Sequence, residues 1–214
     1  GSPPRGVLLL GLAGTVLMFL GSFGGGGIPM RDPVIGNSAL SFWRYGHGAM
    51  LATIVIYVGL VLMVWAWVRL GRAVLARRAG GRAVLTTAAV WMLPMLVTAP
   101  LFTRDPYSYL AQGALPLAGY DPYVVGPIDN PNPLLDNVSP IWTTTTAPYG
   151  PAFILVAKFV TMAVGDDVVA GTMLLRLCML PGLVLLIWAA PRIARHVGAS
   201  GAAALWICVL NPLV

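Results

Sequence analysis

The residues best suited to chemistry cluster in "LVTAPLFTRDPYSYLAQGALPLAGYDPYVVGP", residues 96–127, where Asp-Pro-Tyr occurs at 105–107 and again at 121–123. A carboxylate there can take a proton from an attacking hydroxyl, cap a helix or close a turn, and its surroundings must decide which. Asp105 stands just past a long uncharged run. If a helix begins at Pro106, then Asp105, Ser108 or Tyr109, and Gln112 recur at spacings of three and four and share a face. A polar face at a membrane surface makes Asp105 the candidate for catalysis. Arg104 is placed either to hold that carboxylate ionised or to meet an anionic ligand. Asp121, inside "GYDPYVVGP", reads first as a turn or cap. Asp129, Asp136, Asp166 and Asp167 read as turn and loop residues and are assigned no chemistry.

Aromatic residues crowd the same region: Tyr107, Tyr109, Tyr120, Tyr123, Trp142 and Tyr149. An interfacial belt accounts for such residues, and so do ring faces set against a sugar. Sequence leaves both readings open. The "TTTT" run at 143–146 reads as an exposed loop or strand edge. Arg176 is the one ionisable side chain deep in an apolar run, roughly 12 Å from its outer end. It either snorkels to the surface or meets a phosphate ligand.

The elements that must position these groups are membrane helices. The chain is 58% hydrophobic and 9% charged, against about 25% charged in an average soluble domain. Apolar runs at 7–23, 48–68, 83–102, 168–190 and 197–214 are the candidate spans. "GSPPRG" resembles the basic start of a signal peptide, but no convincing cleavage site follows 7–20, so the first span is expected to be retained. Residues 103–150 form the one long hydrophilic segment. The expected domains are 1–102, three spans with connectors; 103–167, an extracytoplasmic loop with juxtamembrane helices; and 168–214, further spans. The apolar ending "WICVLNPLV" reads as a cut, so the chain is expected to be a fragment.

Charge then sets orientation. Arg69, Arg72, Arg77, Arg78 and Arg82 make the connector between the second and third spans cytoplasmic. Span three therefore delivers Asp105 to the outer face. If 152–164 also crossed, the arginines of "PRIARH" would lie outside; about 13 to 15 residues reach only roughly 20 Å, short of a hydrocarbon core of about 30 Å. A non-crossing juxtamembrane helix there puts the arginine-rich connectors inside and all seven aspartates outside. Every acidic residue is Asp, and no Cys or His cluster suggests a metal. Cys178 and Cys208 read as small buried residues. The net charge of +6 falls in short loops between apolar runs, which argues against nucleic acid.

"FTRDPYSYLAQG", "GYDPYVVGP", a Trp followed by "APYGP", and the terminal "LNPLV" together resemble the actinobacterial polyprenol-phosphomannose-dependent α-1,6-mannopyranosyltransferases that build lipomannan, members of the GT-C class. The resemblance covers approximately residues 83–214. It implies an all-α polytopic membrane protein with a GT-C-like N-terminal bundle and external juxtamembrane helices, in the plasma membrane, with its active site on the extracytoplasmic face. It also implies inverting transfer of mannose from polyprenyl phosphomannose to a lipid-linked mannan, with Asp105 as general base and no cofactor. Arg176 or Arg104 would stabilise the departing phosphate, and Asp121 would shape the loop or orient an acceptor. Tyr109, Gln112, Tyr123, Trp142 and Tyr149 join Arg104, Asp121 and Arg176 as expected substrate-binding residues. The rival readings are a transporter or flippase of lipid-linked sugars, a GT-C arabinosyltransferase and a structural membrane subunit.

Overall fold

Small residues bring the first two helices, α1 (Arg5–Ser22) and α2 (Gly46–Leu75), into backbone contact. In the computed structural model, which describes residues 2–30, 35–36 and 38–212, a methyl group at Gly14 would come within 2.6 Å of Gly59 O. Close approach of this kind is how helices associate where lipid removes the hydrophobic drive between them. Trp91 of α3 (Gly81–Leu96) lies over Gly11 and donates from Nε1 to Leu8 O at 3.0 Å.

The expected third span is shorter than the apolar run that suggested it. Helix α3 stops at Leu96, and residues 97–104 continue as an irregular strap. Pro94 sits within the last turn, and Pro100 keeps the helix from resuming, because it lacks an N–H and pushes Ala99 out of the helical region. Thr98 Oγ1 donates to Pro94 O at 2.8 Å and closes the helix end. The last candidate span also contracts, to α7 (Gly201–Cys208). Among the described residues three helices, α1, α2 and α6 (Val168–His196), are long and apolar enough to cross a membrane. Helix α6 runs unbroken through Pro181 and Pro191.

Between α3 and α6 lie α4 (Asp105–Ala114) and α5 (Pro151–Val164), joined by a long loop with three short 3-10 turns. At 14 residues, α5 is about 21 Å long. Helix α4 packs Tyr107, Leu110, Ala111 and Ala114 against Val160 of α5, Leu175 of α6, and Leu134 and Val138 of the loop. No strand occurs among the described residues, so "TTTT" is loop and turn. Cys178 is exposed and Cys208 partly so, which corrects the buried reading; both are free thiols.

The two ends of the bundle carry different chemistry. Leu205 of α7 meets Gly81, and Trp206 lies over Gly71, which gathers the 69–82 and 192–196 arginines toward one end. The strap, α4 and the six described aspartates lie at the other. Asp32, the seventh, lies outside the described residues.

Candidate active site

A glycine-rich connector after α1 sets where Asp105 stands. Side chains at Gly26 and Gly27 would collide with Leu101 O and Thr103 O of the strap, and Gly26 has φ +80°. Only glycine meets both demands. Gly27 N donates to Pro100 O at 2.8 Å, and the buried Tyr107 donates from its hydroxyl to Gly27 O at 2.7 Å. Ala99 N donates to Ser22 Oγ at 3.2 Å. The connector therefore clasps the strap and the first turn of α4 together.

Asp105 is the first residue of α4, and Arg104, at the cap position before it, makes no side-chain capping bond. Its N–H donates to Thr103 Oγ1 at 3.1 Å, and its carbonyl accepts from Ser108 Oγ at 2.7 Å. The half-buried carboxylate meets no partner among the described residues. Capping work falls instead to Asp167, whose Oδ1 accepts from Val169 N and Ala170 N at the start of α6.

The polar stripe of α4 is covered rather than open. Ser108 is 4% and Gln112 2% exposed, because neighbouring segments enclose α4 on more than its apolar face. Gln112, expected to bind substrate, is a buried residue with its Oε1 unpaired among the described residues. Arg104 does not pair with Asp105: its Nη2 donates to Asn137 O at 2.7 Å, because the loop folds over the start of α4 and presents that carbonyl. Asp121 is a turn residue, its Oδ1 accepting from Tyr123 N at 2.9 Å.

Next to Asp105 the aromatics form a wall. Tyr109, Tyr149 and Phe153 pack with centroids 4.9–5.3 Å apart, and the Tyr149 hydroxyl donates to that of Tyr109 at 3.1 Å. Tyr123 donates from its hydroxyl to Tyr149 O at 3.0 Å. Burial pushes the Tyr109 phenol up first, then the bond with Tyr149, and the charge of Asp105 adds to both. Tyr109 thus stays protonated beside the carboxylate. Trp142 packs against the buried cluster of α4 and lies outside the ring wall.

Behind the strap opens a cavity of about 610 Å³, walled by α3, α6 and residues 209–212. Its lining is apolar apart from a few groups, Arg176 and Thr98 among them. Arg176 Nη1 donates to Leu96 O at 2.7 Å, a cation on the last turn of α3. Its Nε and Nη2 meet no acceptor among the described residues. Phe102 lines the cavity, and Asp105 follows three residues later, so their Cα atoms are at most about 11 Å apart.

Residues 8–214 match the family described as "Alpha-(1->6)-mannopyranosyltransferase, N-terminal domain". The chain belongs to this family. It is 58% identical over 212 residues to alpha-(1->6)-mannopyranosyltransferase A of Mycobacterium tuberculosis, covering 99% of this chain and 41% of that protein. It is 38% identical to alpha-(1->6)-mannopyranosyltransferase A of Corynebacterium glutamicum, covering 92% and 42%, and 32% identical to the B protein of that organism, covering 96% and 36%. The chain thus spans about two fifths of the curated relatives it matches. No solved structure matches it.

The sequence alone did not single out Gly26, Gly27, Asn137 or Phe153, and it raised Tyr107 only as one of several aromatics. The four consecutive glycines at 24–27 were the available signal. Their partner, the strap, lies more than 70 residues away and could not be read locally.

Proposed function

We propose that this chain is the part of an inverting, membrane-embedded mannosyltransferase that holds the general base. Asp105 takes the proton of the acceptor's 6-hydroxyl as that oxygen bonds to the anomeric carbon of polyprenyl phosphomannose, and the bond from that carbon to the phosphate oxygen breaks. The polyprenyl phosphate leaves with the electron pair. Arg176 offers its unused N–H groups to that phosphate, and the apolar cavity beside it takes the first isoprene units. Tyr109, Tyr123 and Tyr149 give the sugar rings a wall.

The observation that carries this reading is the pairing, along one short strap, of an unpartnered carboxylate with an apolar cavity lined by an arginine. Family membership supports mannosyl transfer, and the GT-C class, the lipid donor and the lipomannan-type acceptor go with the sequence resemblance. The separation of arginine clusters from aspartates supports a site on the outer face of the plasma membrane. Each methylene held in lipid is worth about 0.8 kcal/mol, so a polyprenyl donor has to be met at the membrane.

The test is mannose transfer from polyprenyl phosphomannose in membranes containing the full-length protein. Asp105→Asn should lower turnover by about 10²–10⁴-fold at unchanged expression. Turnover at the wild-type rate would remove Asp105 from the mechanism, and no transfer by the wild type would favour a transporter or another donor. Arg176→Gln should weaken use of the donor about tenfold or more, since a hydrogen bond to a charged group is worth about 1.5–3 kcal/mol. Unchanged donor dependence would leave Arg176 only its contact with α3.

A further inference from the structure

Helices α4 and α5 run side by side in the same direction. Near their starts Tyr109 meets Tyr149 and Phe153; further along, Gly113 lies against Ala157 and Thr161 donates to Leu110 O at 3.0 Å. Asp105 stands at the starting end. At the finishing end, about 14 Å along α4, is a second, open hollow of about 300 Å³. Ala114, Leu117 and Ala118 line it together with Thr161, Asn130 and the exposed Asp166.

The structural duties near this hollow are already taken by neighbouring residues. Asp167, not Asp166, caps α6. Asn132, not Asn130, closes the local turn, with Oδ1 accepting from Leu134 N at 2.9 Å and Nδ2 donating to Asn130 O at 2.7 Å. The Asp166 carboxylate and the Asn130 amide therefore remain without a partner among the described residues. A carboxylate accepts from two hydroxyls, and an amide both donates and accepts. With the apolar patch of Leu117, this is chemistry that reads a pyranose: hydroxyls at the edge, C–H groups on the face.

We infer that this hollow is a distal subsite for the acceptor glycan, holding a mannose unit a few residues back from the one whose hydroxyl reaches Asp105. The inference rests on the proposed mannosyl transfer and adds a length preference to it. The α4–α5 pair acts as a track, with the base at one end and a grip at the other. Acceptors long enough to reach the grip bind better than those that are not.

The experiment compares an α-1,6-linked mannobioside with the corresponding tetra- and pentasaccharides as acceptors for the full-length protein. The wild type should show a lower KM for the longer ones. Asp166→Asn and Asn130→Ala should each shrink that advantage about five- to tenfold, the worth of about one hydrogen bond. An equal rise in KM for short and long acceptors would mark a structural role and overturn the inference, as would a wild type indifferent to length. Separately, the pentasaccharide alone is titrated onto the purified full-length protein by calorimetry. Asp166→Asn should weaken binding about five- to tenfold, and equal binding by both proteins overturns the subsite. This arm holds even if the wild type transfers no mannose, an outcome that would defeat the proposed activity alone.

Discussion

At the arginine-rich end of the bundle, Trp67 and Trp206 stack at 4.6 Å and each donates to the other's carbonyl, whereas at the aspartate-rich end the strap is held by backbone laid against glycine. The first arrangement stabilises by ring area and dispersion and tolerates small shifts. The second contributes little area but fixes position, because carbonyls leave no room for a side chain at 26 or 27. Stability and placement are thus separated in this molecule, and the residues that place the carboxylate are not those that bury most surface.

Three substitutions sharpen or break that contrast. The largest effect is expected from Gly26→Val, which needs φ +80° from a β-branched residue and drives a methyl into Leu101 O. With Asp105 as the base proposed above, a shift of about 1 Å costs about 10²-fold in rate, so turnover should fall at least that far, while α2 and the arginine-rich end keep their protection in hydrogen exchange. Normal turnover would show that the clasp does not set Asp105. Trp67→Ala should do the reverse. Because Trp67 is only partly buried, the loss is about 2 kcal/mol of unfolding free energy in detergent, below the usual range for a core Trp, with turnover per folded molecule unchanged. If turnover falls with stability, the two ends are coupled and the separation fails.

The smallest effect concerns Tyr109. Its phenol is held protonated in the fold by burial, by Tyr149 and by the charge of Asp105. A raised pKa means the folded state binds the proton more tightly, so this contribution is whole below the ordinary tyrosine value of about 10 and drains away as pH rises beyond it. Tyr109→Phe should flatten the loss of stability measured above that pH. An unchanged slope would mean that the fold does not hold the Tyr109 phenol protonated.

Much of the fold was legible because bilayers impose a crude rule. Long apolar runs gave α1, α2 and α6, and a shorter apolar run gave α5. The start of α4 was legible from Asp-Pro. The end of α3 was not, since hydropathy counts Leu101 and Phe102 as membrane residues whether or not Pro94 and Pro100 allow a helix there. Within the site, spacing placed Asp105, Ser108 and Gln112 on one stripe, and that says nothing about what covers it. The loop over Arg104, the aromatic wall and the glycine clasp are contacts between segments 20 to 80 residues apart. Periodicity has no access to such contacts.

The shortness of α3 has a consequence for the lipid beside it. About 24 Å of helix stands where the hydrocarbon slab measures about 30 Å, and mismatch of that kind is relieved by thinning. A dimple on that flank would lower the headgroup plane toward the strap, so a carrier lipid need not climb out of its leaflet for its phosphate to come level with Arg176. On the mechanism proposed above, the donor's path would then be shortened by reshaping the solvent rather than by moving the protein.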